Sequence, residues 1–283
     1  MKLSLRNRWL ILLAVMTVIL GVSVAFDAMW FSSYRIHTKY QTVSRSDIPA
    51  SHDGMSIVCF GDLEYGTFMN QSRLENLIDT VNKISPDTIL FLGDLYDRTY
   101  TPTEEEEVKL ISLLSSLKAP EGKFAVLGDM DYSRSEAIEK DLTNAGFEVL
   151  NNSVIQLHHG TNEYIDLVGF NTNSIDAYTV SSMYTDMESD VFKIVIAHSP
   201  DIADLIPISS TDWVIGANAH NSQIRIPIVE SLTKADNSNK YAPGRHISDG
   251  LTVYATSGVG TTGTDTRLFS DPEILVLKLS SSK

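Results

Sequence analysis

The stretch Ile89-Leu90-Phe91-Leu92-Gly93-Asp94-Leu95-Tyr96-Asp97 decides the fold. Its first four residues are uniformly apolar and read as a buried strand. Glycine then lets the chain turn sharply, and a carboxylate stands just past the end of the strand. The same arrangement recurs along the chain. Ile57–Phe60 runs into Gly61-Asp62-Leu63-Glu64, and Phe124–Leu127 into Gly128-Asp129-Met130-Asp131. Ile194–Ala197 is followed by His198-Ser199-Pro200-Asp201, and Trp213–Gly216 by Ala217-Asn218-Ala219-His220.

In open α/β sheets, ligands bind at the carboxyl ends of strands. Carboxylates gathered there repel one another unless cations lie between them. Oxygen ligands with one or two imidazoles suit Mn, Mg or Fe, and more nitrogen suits Zn. A single Gly-Asp after a strand is commonly only a turn. Three in succession, each after an apolar run, point to a site. His198 alone reads as a structural histidine and His220 alone as a surface one, but their positions after later strands point to metal ligation. His158 and His159 sit beside Gly160 in an expected hairpin. His37, His52 and His246 fall in the stalk or in loops, and none of these five receives a function.

Outward from these strands the chain alternates. Helices are predicted over Gln71–Ile84, Pro102–Leu117 and Ser133–Ala145, the last with Ser133 as N-cap. Glu104 to Glu107 then form a solvated first turn, where the helix dipole favours negative charge. Later strands are predicted at Phe147–Leu150, Val154–Leu157, Ile165–Val168, Val191–Ala197, Leu251–Thr256 and Ile274–Leu279. Helices and strands that alternate early, followed mostly by strands, imply two packed sheets flanked by helices. Thr233–Arg245 is polar and reads as a surface loop.

The N-terminus is of another kind. Trp9–Phe26 is an uncharged, mostly apolar run preceded by Lys2, Arg6 and Arg8. It reaches the length needed to cross a bilayer, and the positive flank keeps its start in the cytoplasm. Ser23-Val24-Ala25 resembles a signal-peptide cleavage site. The long apolar stretch favours an uncleaved anchor, and both readings place the rest outside the cytoplasm. The expected organisation is an anchor over 1–30, a polar stalk over 31–49 and one domain over 50–283.

The chain of 283 residues carries 22 Lys and Arg against 36 Asp and Glu, a formal charge of −14. Such a chain repels nucleic acid, and a concentrated acidic site for cations is the better expectation. The one cysteine, Cys59, lies in an apolar run and reads as a core residue. There is no Gly-x-x-x-x-Gly-Lys-Ser/Thr loop and no Gly-x-Ser-x-Gly elbow.

Taken in order, the five motifs resemble those of the calcineurin-like metallophosphoesterases, in particular a membrane-anchored bacterial branch. The likeness runs from about Ser51 to Leu279 and includes Lys240–Gly244, Leu251–Gly263 and Arg267–Leu279. It implies a four-layer α/β/β/α sandwich behind an N-terminal transmembrane helix, with two divalent metal ions at the strand ends. It also implies hydrolysis of a phosphate ester by a metal-activated water. By that pattern Asp62, Asp94 and His220 hold the first metal, and Asp94 bridges to a second that His198 also binds.

The departures fall within the site. Glu64 stands where the family has a histidine ligand, Asp129 where it has asparagine, and Asn218 where it has the first histidine of the last motif. Met130 replaces the histidine that supports the leaving group, and Asp131, which would orient that histidine, is retained. The expected ligand set is Asp62, Glu64, Asp94, Asp129, His198, Asn218 and His220. Its carboxylates favour Mn or Mg over Zn or Fe. The substrate would be a phosphorylated small molecule or envelope component. The alternative is a catalytically impaired, metal-stabilised binding module.

Overall fold

The computed structural model describes residues 4–217, 223–225, 240–248 and 250–282. Helix α1 (Leu5–Trp30) opens the chain, with the Ser4 hydroxyl accepting from the Asn7 N–H. Its mean hydropathy reaches 2.6 over 18 residues, none of them buried against the protein. At 1.5 Å per residue it is roughly 39 Å long, enough to cross a bilayer core of about 30 Å.

Among the described residues the domain contains twelve strands. These are β1 (His37–Arg45), β2 (Ser56–Phe60), β3 (Thr88–Phe91), β4 (Lys123–Ala125), β5 (Glu148–Val149), β6 (Ser153–His158), β7 (Tyr164–Phe170), β8 (Lys193–Ala197), β9 (Trp213–Gly216), β10 (Gly244–Ser248), β11 (Leu251–Ala255) and β12 (Glu273–Ser281). Among the same residues lie the α-helices α2 (Gln71–Ile84), α3 (Glu104–Ser115), α4 (Ser135–Asn144) and α5 (Ala177–Thr185). One sheet has the order β1-β12-β2-β3-β4-β5 and the other β10-β11-β9-β8-β7-β6.

Side-chain alternation explains the layering. On β2, Ile57 and Cys59 face the second sheet, where they join Leu90, Leu92, Ile165, Leu167, Ile194, Ile196 and Ile215 in the central core. Val58 and Phe60 face the other way, against Leu74, Leu77 and Val81 of α2 and Leu110 and Leu114 of α3. On the far side Val168, Val195 and Val214 pack under Val180 of α5 and the turn carrying Ile202 and Ala203. Three apolar seams therefore hold four layers together, as the α/β/β/α expectation requires. Cys59 lies fully inside, and burial pushes its thiol far above the ordinary range.

β2, β3, β4 and β5 run parallel, as do β7, β8, β9 and β11. Parallel pairing aligns the loops after β2, β3 and β4 at one rim and those after β8 and β9 at another. The two rims meet above the central core.

Three local expectations change. Ser133 does not cap α4: it lies in a 3₁₀ turn (Tyr132–Arg134), and Arg134 occupies the N-cap position without a side-chain bond. Residues 31–49, read as a stalk, contain β1, which pairs along its whole length with β12. The predicted loop before Arg245 ends in β10, antiparallel to β11. Its residues 233–239 lie outside the described residues.

Candidate metal centre

The loop after β2 and the loop after β3 are zipped together by main-chain bonds. The Asp62 N–H donates to the Gly93 carbonyl at 2.9 Å, Glu64 to Asp94 at 3.0 Å and Tyr65 to Leu95 at 2.9 Å. Asp62, Glu64 and Asp94 have φ of 51°, 50° and 59°. Each residue held in this left-handed region costs about 1–2 kcal/mol, so the surroundings must enforce it.

Asp131 is a main part of that enforcement. Its buried carboxylate accepts from the Asp94 N–H at 2.8 Å, the Leu95 N–H at 2.9 Å and the Gly128 N–H at 2.8 Å. Burial, with the Asp94 charge adding to it, pushes this carboxyl up to about 6. The residue expected to orient a histidine at position 130 thus braces the backbone that carries Asp94. Met130 is half-buried, and its N–H donates to Asp94 Oδ1 at 2.8 Å.

His198, at the end of β8, reaches across from the second sheet. Its Nδ1 bonds to the Leu92 carbonyl at 2.8 Å. With Nδ1–H donated there, Nε2 is fixed as the ligand atom, the usual arrangement for a metal-binding imidazole. Nε2 lies 3.3 Å from Asp94 Oδ2 and 3.9 Å from Asp62 Oδ1. Burial alone would depress this imidazole, but the nearby carboxylates outweigh it and lift the ring to about 10. One ligand atom each from Asp62, Asp94 and His198 lies within 4.8 Å of the others, and all three side chains are buried. Two buried carboxylates and an oriented imidazole suit a divalent cation.

The walls are built from glycine. A Cβ on Gly128 would lie 2.1 Å from Asp94 Oδ1, and one on Gly258 2.6 Å from Asp62 Oδ2. A Cβ on Gly260 would lie 2.4 Å from the Leu63 carbonyl oxygen. Gly260 donates its N–H to the Asp62 carbonyl at 2.7 Å.

Arg267 fixes this glycine loop from behind. Its fully buried guanidinium donates to the carbonyls of Ser257 (2.9 Å), Gly258 (3.2 Å), Gly260 (2.6 Å) and Ser270 (3.0 Å). Burial draws Arg267 down to about 10 against the opposing pull of Glu64 and Asp62. In the sequence Arg267 and Gly258–Gly260 stand only within the family-like tail. Lone Arg and Gly after a strand carry no local signal of this role.

The other expected ligands are placed as follows. Glu64 is buried on the same loop as Asp62, outside the 4.8 Å group, and its charge acts on Arg267. Asp129 is exposed, near enough for its charge to raise His198. Asn218 and His220 lie outside the described residues.

Comparisons with known proteins bear on the whole chain. Residues 55–225 match the family model described as calcineurin-like phosphoesterase. The uncharacterized metallophosphoesterase YkuE of Bacillus subtilis is 27% identical over 90% of this chain and 89% of its own length. Phosphodiesterase YaeI of Escherichia coli is 27% identical over 79% of this chain and 81% of its own. The UDP-2,3-diacylglucosamine pyrophosphatase LpxG of Chlamydia muridarum is 22% identical over 80% of this chain and 83% of its own.

Proposed function

Because this chain belongs to the calcineurin-like phosphoesterase family, we propose that it hydrolyses a phosphate ester outside the cytoplasm, anchored by α1. The observation that carries the reading is the convergence of Asp62, Asp94 and His198 at the strand ends. The family is dimetal-dependent, and these residues fit a divalent ion in charge, burial and ligand type. Metal ions supply Lewis acidity to the reaction and lower the pKa of the attacking water.

The chain's own residues would divide the rest. Asp94, braced by Asp131, would hold the ions together with Asp62 and His198. Glu64, Asp129, Asn218 and His220 complete the proposed set. Asp131 acts as a positioning residue. Mn or Mg is favoured because four of the seven side chains are carboxylates. By their names, one relative is a phosphodiesterase and another a pyrophosphatase of UDP-2,3-diacylglucosamine. A phosphorylated envelope component is therefore the favoured substrate over a phosphoprotein or nucleic acid.

A second reading, a metal-stabilised binding module, rests on one position. Met130 has no group that can donate a proton to a leaving oxygen, and a positioned general acid is typically worth about 10²–10⁴-fold in rate. Aryl-phosphate hydrolysis by the full chain in detergent with Mn decides between them. Activity abolished by Asp94→Asn supports the enzyme. Metal binding without Asp94-dependent turnover supports the binding module.

A further inference from the structure

Phe269 is an outlier on the surface. A phenylalanine with φ of 52° occupies a conformation bulky residues avoid, and its side chain is 60% exposed. Strain of this kind persists where the surroundings hold a residue in place for a purpose. The loop around it is bound to the end of α1. The Arg267 N–H donates to the Ala28 carbonyl at 3.1 Å, and the Ser32 hydroxyl to Asp271 Oδ1 at 2.9 Å. Leu268 and Phe269 share with Ser23, Val24 and Ala28 the wall of a cavity of about 340 Å³. Val24 lies inside the apolar run of the helix, so the loop folds back alongside the segment suited to hydrocarbon.

Around the same helix end stands a set of uncovered rings. Phe26 lies 6.4 Å from Trp30 and 5.8 Å from Phe31, and all three are more than half exposed. Tryptophan favours the level where a helix leaves the hydrocarbon of a bilayer, and phenylalanine beside it buries at the headgroup boundary. No protein layer covers these rings among the described residues, and the helix beside them is itself suited to cross a membrane. A lipid interface is the occupant that satisfies all of them together.

The loop also leads straight to the metal ligands. One arginine, Arg267, bonds the helix through its main chain and carries the Ser257–Gly260 carbonyls on its guanidinium. Gly258 packs against the Asp62 carboxylate, and Gly260 bonds the Asp62 main chain. We infer that Phe269 and the rings of α1 seat the domain in the bilayer interface, and that the site held behind this seat acts on phosphoesters borne by membrane lipids. The second half rests on the phosphoesterase reading above, and the first half does not.

The test uses the full chain in phosphatidylcholine vesicles. The one native cysteine is buried, so a nitroxide on Phe269→Cys reports a single position. Greater accessibility to oxygen than to an aqueous nickel chelate is expected there, and the reverse for Tyr178→Cys, on an outward-facing ring. A 269 label as open to nickel as the 178 label overturns the seat. Phe269→Asp keeps a residue that tolerates left-handed φ while making insertion unfavourable. It should slow cleavage of phosphatidic acid in vesicles by about tenfold or more, the scale of withdrawing one phenylalanine from an apolar phase. Cleavage of a soluble aryl phosphate should stay unchanged. Equal effects on both substrates overturn the lipid assignment. If the wild-type chain cleaves neither substrate, the phosphoesterase reading and the lipid assignment fall together, and the label alone decides the seat.

Discussion

Gly128→Ala offers a direct test of whether the glycine walls set the metal site. The new Cβ would stand 2.1 Å from Asp94 Oδ1 and 2.5 Å from the Asp94 nitrogen, where ordinary contact begins at 3.4 Å. Gly128 has no left-handed φ, so the effect is one of space alone. Relief requires a shift of about 1 Å in a ligand, a displacement that in reacting groups can cost about 10²-fold in rate. Outer contacts that aim metal ligands are worth a comparable ~10–100-fold in affinity. The overlap should also cost about 1–3 kcal/mol of stability, as overpacked cores do. Isothermal titration with Mn measures the first effect and chemical denaturation in chelator the second. Gly160→Ala is the control: its φ of 68° strains alanine, but nothing lies within 4 Å of the new Cβ. It should lose some stability and bind Mn normally. If Gly128→Ala binds Mn as tightly as wild type, the carboxylate at position 94 is not a ligand held by this wall.

Four further outcomes are expected. Mn or Mg should raise the melting temperature more than Zn at equal concentration, growing with concentration by mass action; a larger shift with Zn would refute the oxygen-rich ligand set. Arg267→Lys should cost about 2 kcal/mol or more, because the charge stays but the planar fork that serves four buried carbonyls is lost and some are left unpaired; denaturation with and without metal measures it. Burial holds the His52 imidazole below its ordinary 6.5, with Nε2 bonded to the Leu157 carbonyl at 2.9 Å. The unfolded chain therefore takes up this proton first, and stability should fall as pH drops below 6.5; His52→Gln should show a shallower fall between neutral and acidic buffer. The combined variant Glu64→His, Asp129→Asn, Met130→His and Asn218→His should gain at least about tenfold in aryl-phosphate hydrolysis; no gain in a well-folded protein would show that the departures are not what limits the rate.

The strand ends were legible because each carries the same grammar: an uninterrupted apolar run, a glycine or alanine, then a polar ligand type. β2, β3, β8 and β9 are buried along nearly their whole length, and that produces the run. β1 was not legible. It lies at a sheet edge with Val43 as its one fully buried residue, so no two-residue period shows. α5 escaped for the same reason, burying Val180 alone. The role of Asp131 was hidden differently. Its partners are main-chain amides, and an amide has no letter in the sequence. Arg267 is hidden likewise, since its partners are carbonyls brought together only by the fold.

The pairing of β1 with β12 bears on how the chain comes to be made. His37 is the partner of Glu273 and Arg45 of Ser281, so the strand nearest the apolar helix has no partner until a segment more than 200 residues later has been made. Contacts that span nearly the whole chain form late, because loop closure comes before any reward. β12 also lies between β1 and β2, so without it the first sheet is split. The domain therefore cannot mature segment by segment as it emerges. Removal of residues 273–281 would leave both β1 and β2 with open edges, the kind of surface that draws unfinished chains into aggregation.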